Sequence, residues 1–342
     1  MYLYYFKREK TYLKSFEENA KRPYMKIGAK KPVFWIVSYL ICFGLLIIPL
    51  FLTMFSAGFI GAMYAILGGN MDALYLFILH NPWIEWISLT ISNGMVILSF
   101  FLYIKLAEKR PFKSIGLKTT NKLSKYLKGA GIAIVMQLVY FITILLFGWG
   151  EILSKPINAT YALGPSAIGF VILLLTGFII QGASEEVVVR GWMLPVLSRH
   201  YKVTTSIILS AAFFGFLHFQ NPNLDVLSMI NLILYGVFAA LYALYDDGLW
   251  GVFAQHSIWN WFMGNILGLP VSGMIAGNVS IIETKLVGPT WITGGTFGPE
   301  GGAIVTIIFT LSILILIKCL IKKGILVSSK DSSASTSHAA KI

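Results

Sequence analysis

Two adjacent carboxylates, Glu185 and Glu186, close a long apolar run in the segment Gln181-Gly-Ala-Ser-Glu-Glu-Val-Val-Val-Arg190. A carboxylate at membrane depth is costly and by default marks a functional site. On a helix, Glu186 and Arg190 stand four residues apart on one face, where they can pair. Glu185 points about 100° away around the axis. The two carboxylates therefore divide: one can be held by Arg190 while the other faces a cavity. The three valines between Glu186 and Arg190 favour a dry surround, and a carboxylate facing a dry cavity is suited to take a proton from water. The competing reading is a charge cluster marking the end of a span. It would account for Arg190 but not for the glutamates.

Two further patterns follow along the chain, Phe214-Gly-Phe-Leu-His218 and His256-Ser-Ile-Trp-Asn260. Singly, each has a bland reading. A histidine beside aromatics is usually a satisfied core residue, and a polar pair at helical spacing in a membrane can be interhelical glue. Together they carry more. The five histidines are His80, His200, His218, His256 and His338, and the two inside apolar spans are the two in these patterns. Carboxylates, imidazoles and an amide on three helices are the parts needed to hydrolyse a peptide inside a membrane. A glutamate takes a proton from water, a histidine helps hold that water directly or through a metal, and a second histidine and an asparagine donate to the tetrahedral oxyanion. Ser184 and Ser257 lie nearby, but no recognisable motif places a base beside either. The metalloprotease pattern His-Glu-x-x-His is absent.

The elements that must position these residues are membrane helices. Of 342 residues, 56% are hydrophobic and 12% charged, against about 25% charged in a soluble domain, and mean hydropathy is +0.75. Residues 33–71 and 86–104 contain no charge at all. The fold class expected is all-α, a polytopic transmembrane helix bundle of about eight spans at 33–57, 84–104, 129–149, 165–187, 203–219, 226–245, 249–268 and 302–320. The net charge of +12 does not point to nucleic acid, because 25 of the 27 Lys and Arg residues fall in four blocks: 1–32, 105–128, 190–202 and the stretch after Ile317. An inside amino terminus puts all four blocks on one face, as the positive-inside rule requires. Both termini are then cytoplasmic, and the first span is a permanent one rather than a cleaved leader.

The expected organisation is a basic segment 1–32, a membrane domain 33–320 with its chemical core at 165–268, and a polar, disordered tail 321–342. Segment 58–83, broken by glycines, reads as an interfacial or re-entrant element. The basic loop 105–128 reads as a solvated connector, and 269–301 as a structured outer loop. Cys42 and Cys319 suit packing rather than a disulfide. No internal repeat supports an inverted-repeat transporter. This topology places Glu185 toward the cytoplasmic end of its span, so the site should open to the cytoplasmic half.

Glu-Glu-x-x-x-Arg, Phe-x-x-x-His and His-x-x-x-Asn, in that order among spans, resemble the CPBP (Abi, CAAX protease) family of intramembrane proteases, to which the Ras-converting CAAX endopeptidase belongs. All three motifs stand here intact, at Glu185, Glu186 and Arg190, at Phe214 and His218, and at His256 and Asn260. The resemblance implies that Glu185 activates water with His218, that His256 and Asn260 form the oxyanion site, and that Glu186 and Arg190 order the helix end. It leaves metal dependence open: Glu185, His218 and His256 could hold zinc with one open position, or act without it. It further implies a peptide substrate, apolar or lipidated, admitted from the bilayer, and a role in peptide maturation, pheromone processing or bacteriocin self-immunity. The lack of an organelle signal fits a bacterial plasma membrane. The rival classes are a non-catalytic immunity or binding protein and, third, a proton-coupled transporter.

Overall fold

Where the sequence runs apolar and uncharged, the chain is helical. The computed structural model describes residues 4–19, 31–154, 162–275 and 279–328. Residues 1–3 and 20–30 of the basic amino-terminal segment, and the polar tail beyond residue 328, lie outside the described residues. The helices are α1 (Tyr12–Asn19), α2 (Lys31–Ile66), α3 (Met71–His80), α4 (Pro82–Leu102), α5 (Lys122–Leu146), α6 (Ile168–Glu186), α7 (Leu194–His200), α8 (Val203–Leu217), α9 (Val226–Asp246), α10 (Trp250–Trp261), α11 (Thr290–Thr293) and α12 (Ala303–Lys322). Among the described residues, six helical stretches are long and apolar enough to cross a membrane: Trp35–Ile66, Pro82–Ala107, Lys122–Leu146, Gly164–His200, Val226–Asp246 and Ala303–Lys322. The shorter α8, and α10 extended by a π turn over Phe262–Ile266, stand where the other two spans are expected. The chain is an integral, multi-pass membrane protein.

Among the described residues, three short two-stranded pairs sit at the ends of the bundle. β1 (Tyr4–Phe6) pairs antiparallel with β6 (Leu326–Ser328), so the two terminal segments meet at one end. Basic side chains gather there. Arg8 donates to the Tyr201 carbonyl at 3.0 Å, Lys125 donates to the Asp246 carbonyl, and Lys323 donates to the Tyr245 carbonyl at 2.9 Å. The opposite end carries β2 (Gly150–Leu153) with β5 (Glu283–Leu286), and β3 (Ala162–Leu163) with β4 (Val279–Ser280). There Tyr140 donates to the carbonyl of Thr293 in α11 at 2.6 Å, and Asn231 donates to the carbonyls of Glu300 and Gly302 at 2.8 and 3.0 Å. The described residues of 269–301, which are 269–275 and 279–301, thus form a structured connection, as expected.

Three expectations change. Segment 58–83, expected as an interfacial or re-entrant element, is mostly helical: α2 continues to Ile66, and α3 occupies Met71–His80. The loop 105–128 is not simply solvated. Glu108 and Arg110 are buried, 2.5 Å apart. The Trp192 indole donates to Glu108 at 2.7 Å, and the Arg110 guanidinium lies 4.2 Å from the Phe16 ring centre. Two opposite charges that satisfy each other can be packed away.

The third change concerns the helix that carries the paired glutamates. It does not end at residue 187 but runs on through a π turn at Val187–Met193 into α7. Pro195 explains the π turn, because its ring removes a backbone donor and crowds the carbonyl four residues back. Glu185 and Glu186 therefore lie in the middle of a continuous helical stretch, Gly164–His200.

Candidate active site

Close backbone approach assembles the site. A Cβ on Gly182 would lie 2.7 Å from the Ser257 backbone nitrogen, and one on Gly236 would lie 2.7 Å from the Ala211 Cα. Only glycine lets α6 lie this close to α10, and α9 to α8. The α6–α10 contact is antiparallel, and it sets Glu185 and Glu186 beside His256 and Gln181 beside Asn260.

Glu186 and Arg190 form the dry side. Both side chains are 0% exposed, and Arg190 Nη1 donates to Glu186 Oε1 at 2.7 Å. The same oxygen lies 2.8 Å from His256 Nδ1. A carboxylate accepts, so the proton between them sits on Nδ1, and Nε2 is directed elsewhere. Arg190 also donates to the Gly236 carbonyl at 3.2 Å. Its guanidinium stands 4.7 Å from the Phe214 ring centre and 5.6 Å from that of Tyr235. The buried cation is thus held by one carboxylate, one carbonyl and two aromatic faces.

Glu185 lies on the other side of His256. Its side chain is 25% exposed, and its Oε2 stands 3.8 Å from His256 Nε2. Gln181 donates to Glu185 Oε1 and accepts from Asn260 Nδ2 at 3.0 Å. This chain of amides fixes one oxygen of Glu185. The other, Oε2, has no hydrogen-bond partner among the described residues. His218 follows the end of α8, where its Nδ1 lies 2.9 Å from the Phe214 carbonyl. A carbonyl only accepts, so Nδ1 carries the hydrogen and Nε2 is an acceptor.

Glu185, His218, His256, Asn260 and Phe214 line one cavity of about 690 Å³. Glu186 and Arg190 stand behind it. Every residue singled out in the three motifs is therefore at this one place, although no hydrogen bond or ion pair joins Glu185 to His218 among the described residues. The expected opening is reversed. The cavity reaches Glu85, Asn221, Ser272 and Glu300, which lie toward the connections opposite the basic end. The cause is the helix continuation past residue 187, which moves Glu185 away from the helix end that the charge pattern implied.

The three possible zinc ligands, Glu185, His218 and His256, do not converge in this arrangement. Among the described residues no group of three His, Cys, Asp or Glu is placed to hold a metal ion. Ser184 donates to Asn93 Oδ1 and to the Gln181 carbonyl, each at 2.8 Å, and Ser257 turns toward the Ile179 carbonyl, so neither hydroxyl meets an imidazole.

Sequence reasoning missed Gln181, Tyr235 and Glu85. Gln181 had a signal: an amide inside an apolar run, four residues before Glu185. Tyr235, whose hydroxyl donates to Gln255 at 3.1 Å and whose ring centre lies 5.0 Å from that of His256, had none. Glu85 sits in the first turn of α4, where a carboxylate is ordinary because it complements the helix dipole.

Residues 165–262 match the family model described as Rce1-like, the type II CAAX prenyl endopeptidase Rce1-like family. The matched segment runs from the start of α6 through α10 and contains all three motifs. No curated protein and no solved structure matches the chain. Over this segment, which is less than a third of the chain, the protein is similar to the type II CAAX prenyl endopeptidase Rce1-like family.

Proposed function

We propose that the chain is a glutamate-dependent intramembrane endopeptidase that cleaves a short apolar or lipidated peptide entering from the bilayer. One observation carries the reading: of two adjacent glutamates, one is neutralised in a dry ion pair, while the other lines a cavity with His218, His256 and Asn260 and keeps one oxygen without a hydrogen-bond partner among the described residues.

A water held between Glu185 Oε2 and the scissile carbonyl gives its proton to Glu185 as its oxygen bonds the carbonyl carbon. His218 Nε2, an acceptor, holds the second hydrogen of that water. The carbonyl oxygen becomes the oxyanion. The second N–H of Asn260 points a donor toward it, and so does His256 once Nε2 is protonated, with the Glu186 carboxylate at Nδ1 balancing the imidazolium. When the C–N bond breaks, the proton on Glu185 passes to the leaving amine, and Glu185 returns to its starting state. Apolar residues of the cavity wall, Leu46, Ile78, Ile84 and Met274, suit an apolar substrate.

The membrane domain is taken as 33–320 with its catalytic core at 165–268, in a bacterial plasma membrane with the basic end cytoplasmic. The cavity then opens to the outer half. Peptide maturation or bacteriocin self-immunity are the roles that fit. The test is turnover of a fluorogenic peptide by purified wild type, Glu185→Ala and His218→Ala proteins. Loss in both variants supports the reading, and equal turnover in all three contradicts it. A binding or immunity protein without catalysis would instead keep full protection of cells with Glu185→Gln.

A further inference from the structure

A second cavity, of about 1200 Å³, lies at the basic end, away from the catalytic residues. It is a cleft between α5 and α12, floored by Phe238 and Tyr242 of α9. Its composition changes with depth. At the rim stand Lys118, Lys125, Lys128 and Lys323, with Asp246 and Asp247. Deeper, the walls are apolar, with Val135 on α5 and Ile315 on α12 each 60% exposed.

The rim cations are not all alike. Lys125 is engaged by Thr119 and by the Asp246 carbonyl, and Lys323 by the Tyr245 carbonyl and ring. The Asp246 carboxylate turns to the backbone nitrogen of Gly251. The side chains of Lys118 and Lys128 make no hydrogen bond or ion pair among the described residues, and both residues are exposed. Four cations against two carboxylates leave the rim net positive.

Depth identifies the occupant. From Lys128 to Met136 α5 descends about 12 Å, and from Lys323 to Ser312 α12 descends about 16 Å, at about 1.5 Å per residue. One leaflet of the hydrocarbon core is about 15 Å deep, half of roughly 30 Å. The cleft thus matches one leaflet in length, with cations at the headgroup level and apolar walls at the acyl level. We propose that it binds one anionic glycerophospholipid from the leaflet at the basic end, its phosphate between Lys118 and Lys128 and an acyl chain along Gly131, Val135 and Ile315. Basic clefts between membrane helices have this chemistry. The inference does not depend on the catalytic reading.

The test uses the full chain, purified in detergent, stripped of lipid and titrated with phosphatidylglycerol, phosphatidylcholine or inorganic phosphate. Bound lipid is counted by native mass spectrometry. One phosphatidylglycerol should be retained at least five-fold more than phosphatidylcholine, and inorganic phosphate should not displace it. The double variant Lys118→Gln/Lys128→Gln should lose at least three-fold of that retention, while Lys105→Gln/Lys109→Gln, which removes two other charges from the same basic loop, should not. Gly131→Phe plugs the cleft. A Cβ there meets nothing within 4 Å, so this variant should fold, should lose the lipid and should keep its peptidase turnover. It carries the test on its own if the lysine variant fails to fold. Equal retention of both lipids, equal loss in the two lysine pairs, displacement by phosphate, or retention in Gly131→Phe would each overturn the proposal.

Discussion

The two sides of His256 differ in almost every respect that matters to chemistry. Toward Nδ1 lie Glu186 and Arg190, sealed from solvent and backed by the Phe214 and Tyr235 rings. Toward Nε2 lies Glu185, partly exposed and held at only one oxygen. Adjacent residues on a helix diverge by about 100°, so a Glu-Glu pair supplies two environments from one stretch of backbone. The lesson is a division of labour. One carboxylate neutralises the buried arginine and orients the imidazole, which leaves the other free to react.

That division can be broken from either side. Glu185→Gln keeps the shape and the Gln181 contact but removes the proposed base. Turnover should fall by about 10²- to 10⁴-fold, with the unfolding temperature nearly unchanged. Glu186→Gln should act mainly through stability. Leaving the Arg190 charge unpaired in a dry site costs about 3–5 kcal/mol, readable as a lowered thermal midpoint in detergent. The double variant Glu186→Gln/Arg190→Met should regain a large part of that loss.

Gln181→Ala tests how Glu185 is aimed. It frees Glu185 Oε1 and removes the acceptor of Asn260, so kcat should drop by about ten-fold while stability falls by about 1–3 kcal/mol, the cost of unsatisfied buried groups. Tyr235→Phe is the smallest change. It deletes one hydrogen bond to Gln255, worth about 1 kcal/mol, and turnover should stay within about three-fold. A larger effect would mean that the sealed side takes part in the reaction directly.

Most of the site was legible because its members are polar residues in apolar surroundings. Glu185, Glu186, His218, His256 and Asn260 stand out against long uncharged runs, and helical spacing alone paired Glu186 with Arg190. Two things were not legible. The reach of the helix past Glu186 was hidden because Arg190, Arg199 and Lys202 look like a membrane boundary. Arg190 is in fact buried against Glu186 and two rings, so the first basic residue was not at the surface. The cavity therefore opens at the end opposite the one expected. The contact that joins Gln181 to Asn260 was also hidden, because it depends on the close approach at Gly182, and one glycine among 32 carries no sign of its partner. In the loop 105–128, Glu108 and Arg110 read as solvated for the same reason as Arg190: charges that pair in the interior look like surface charges in a sequence.

The most direct test of the division between the two glutamates is turnover per folded molecule, measured for wild type, Glu185→Gln and Glu186→Gln at a temperature where all three are folded. The expected result is at least a hundred-fold loss for Glu185→Gln and a much smaller one, within about ten-fold, for Glu186→Gln. Equal losses in the two, or full turnover with Glu185→Gln, would contradict the assignment of Glu185 as the base.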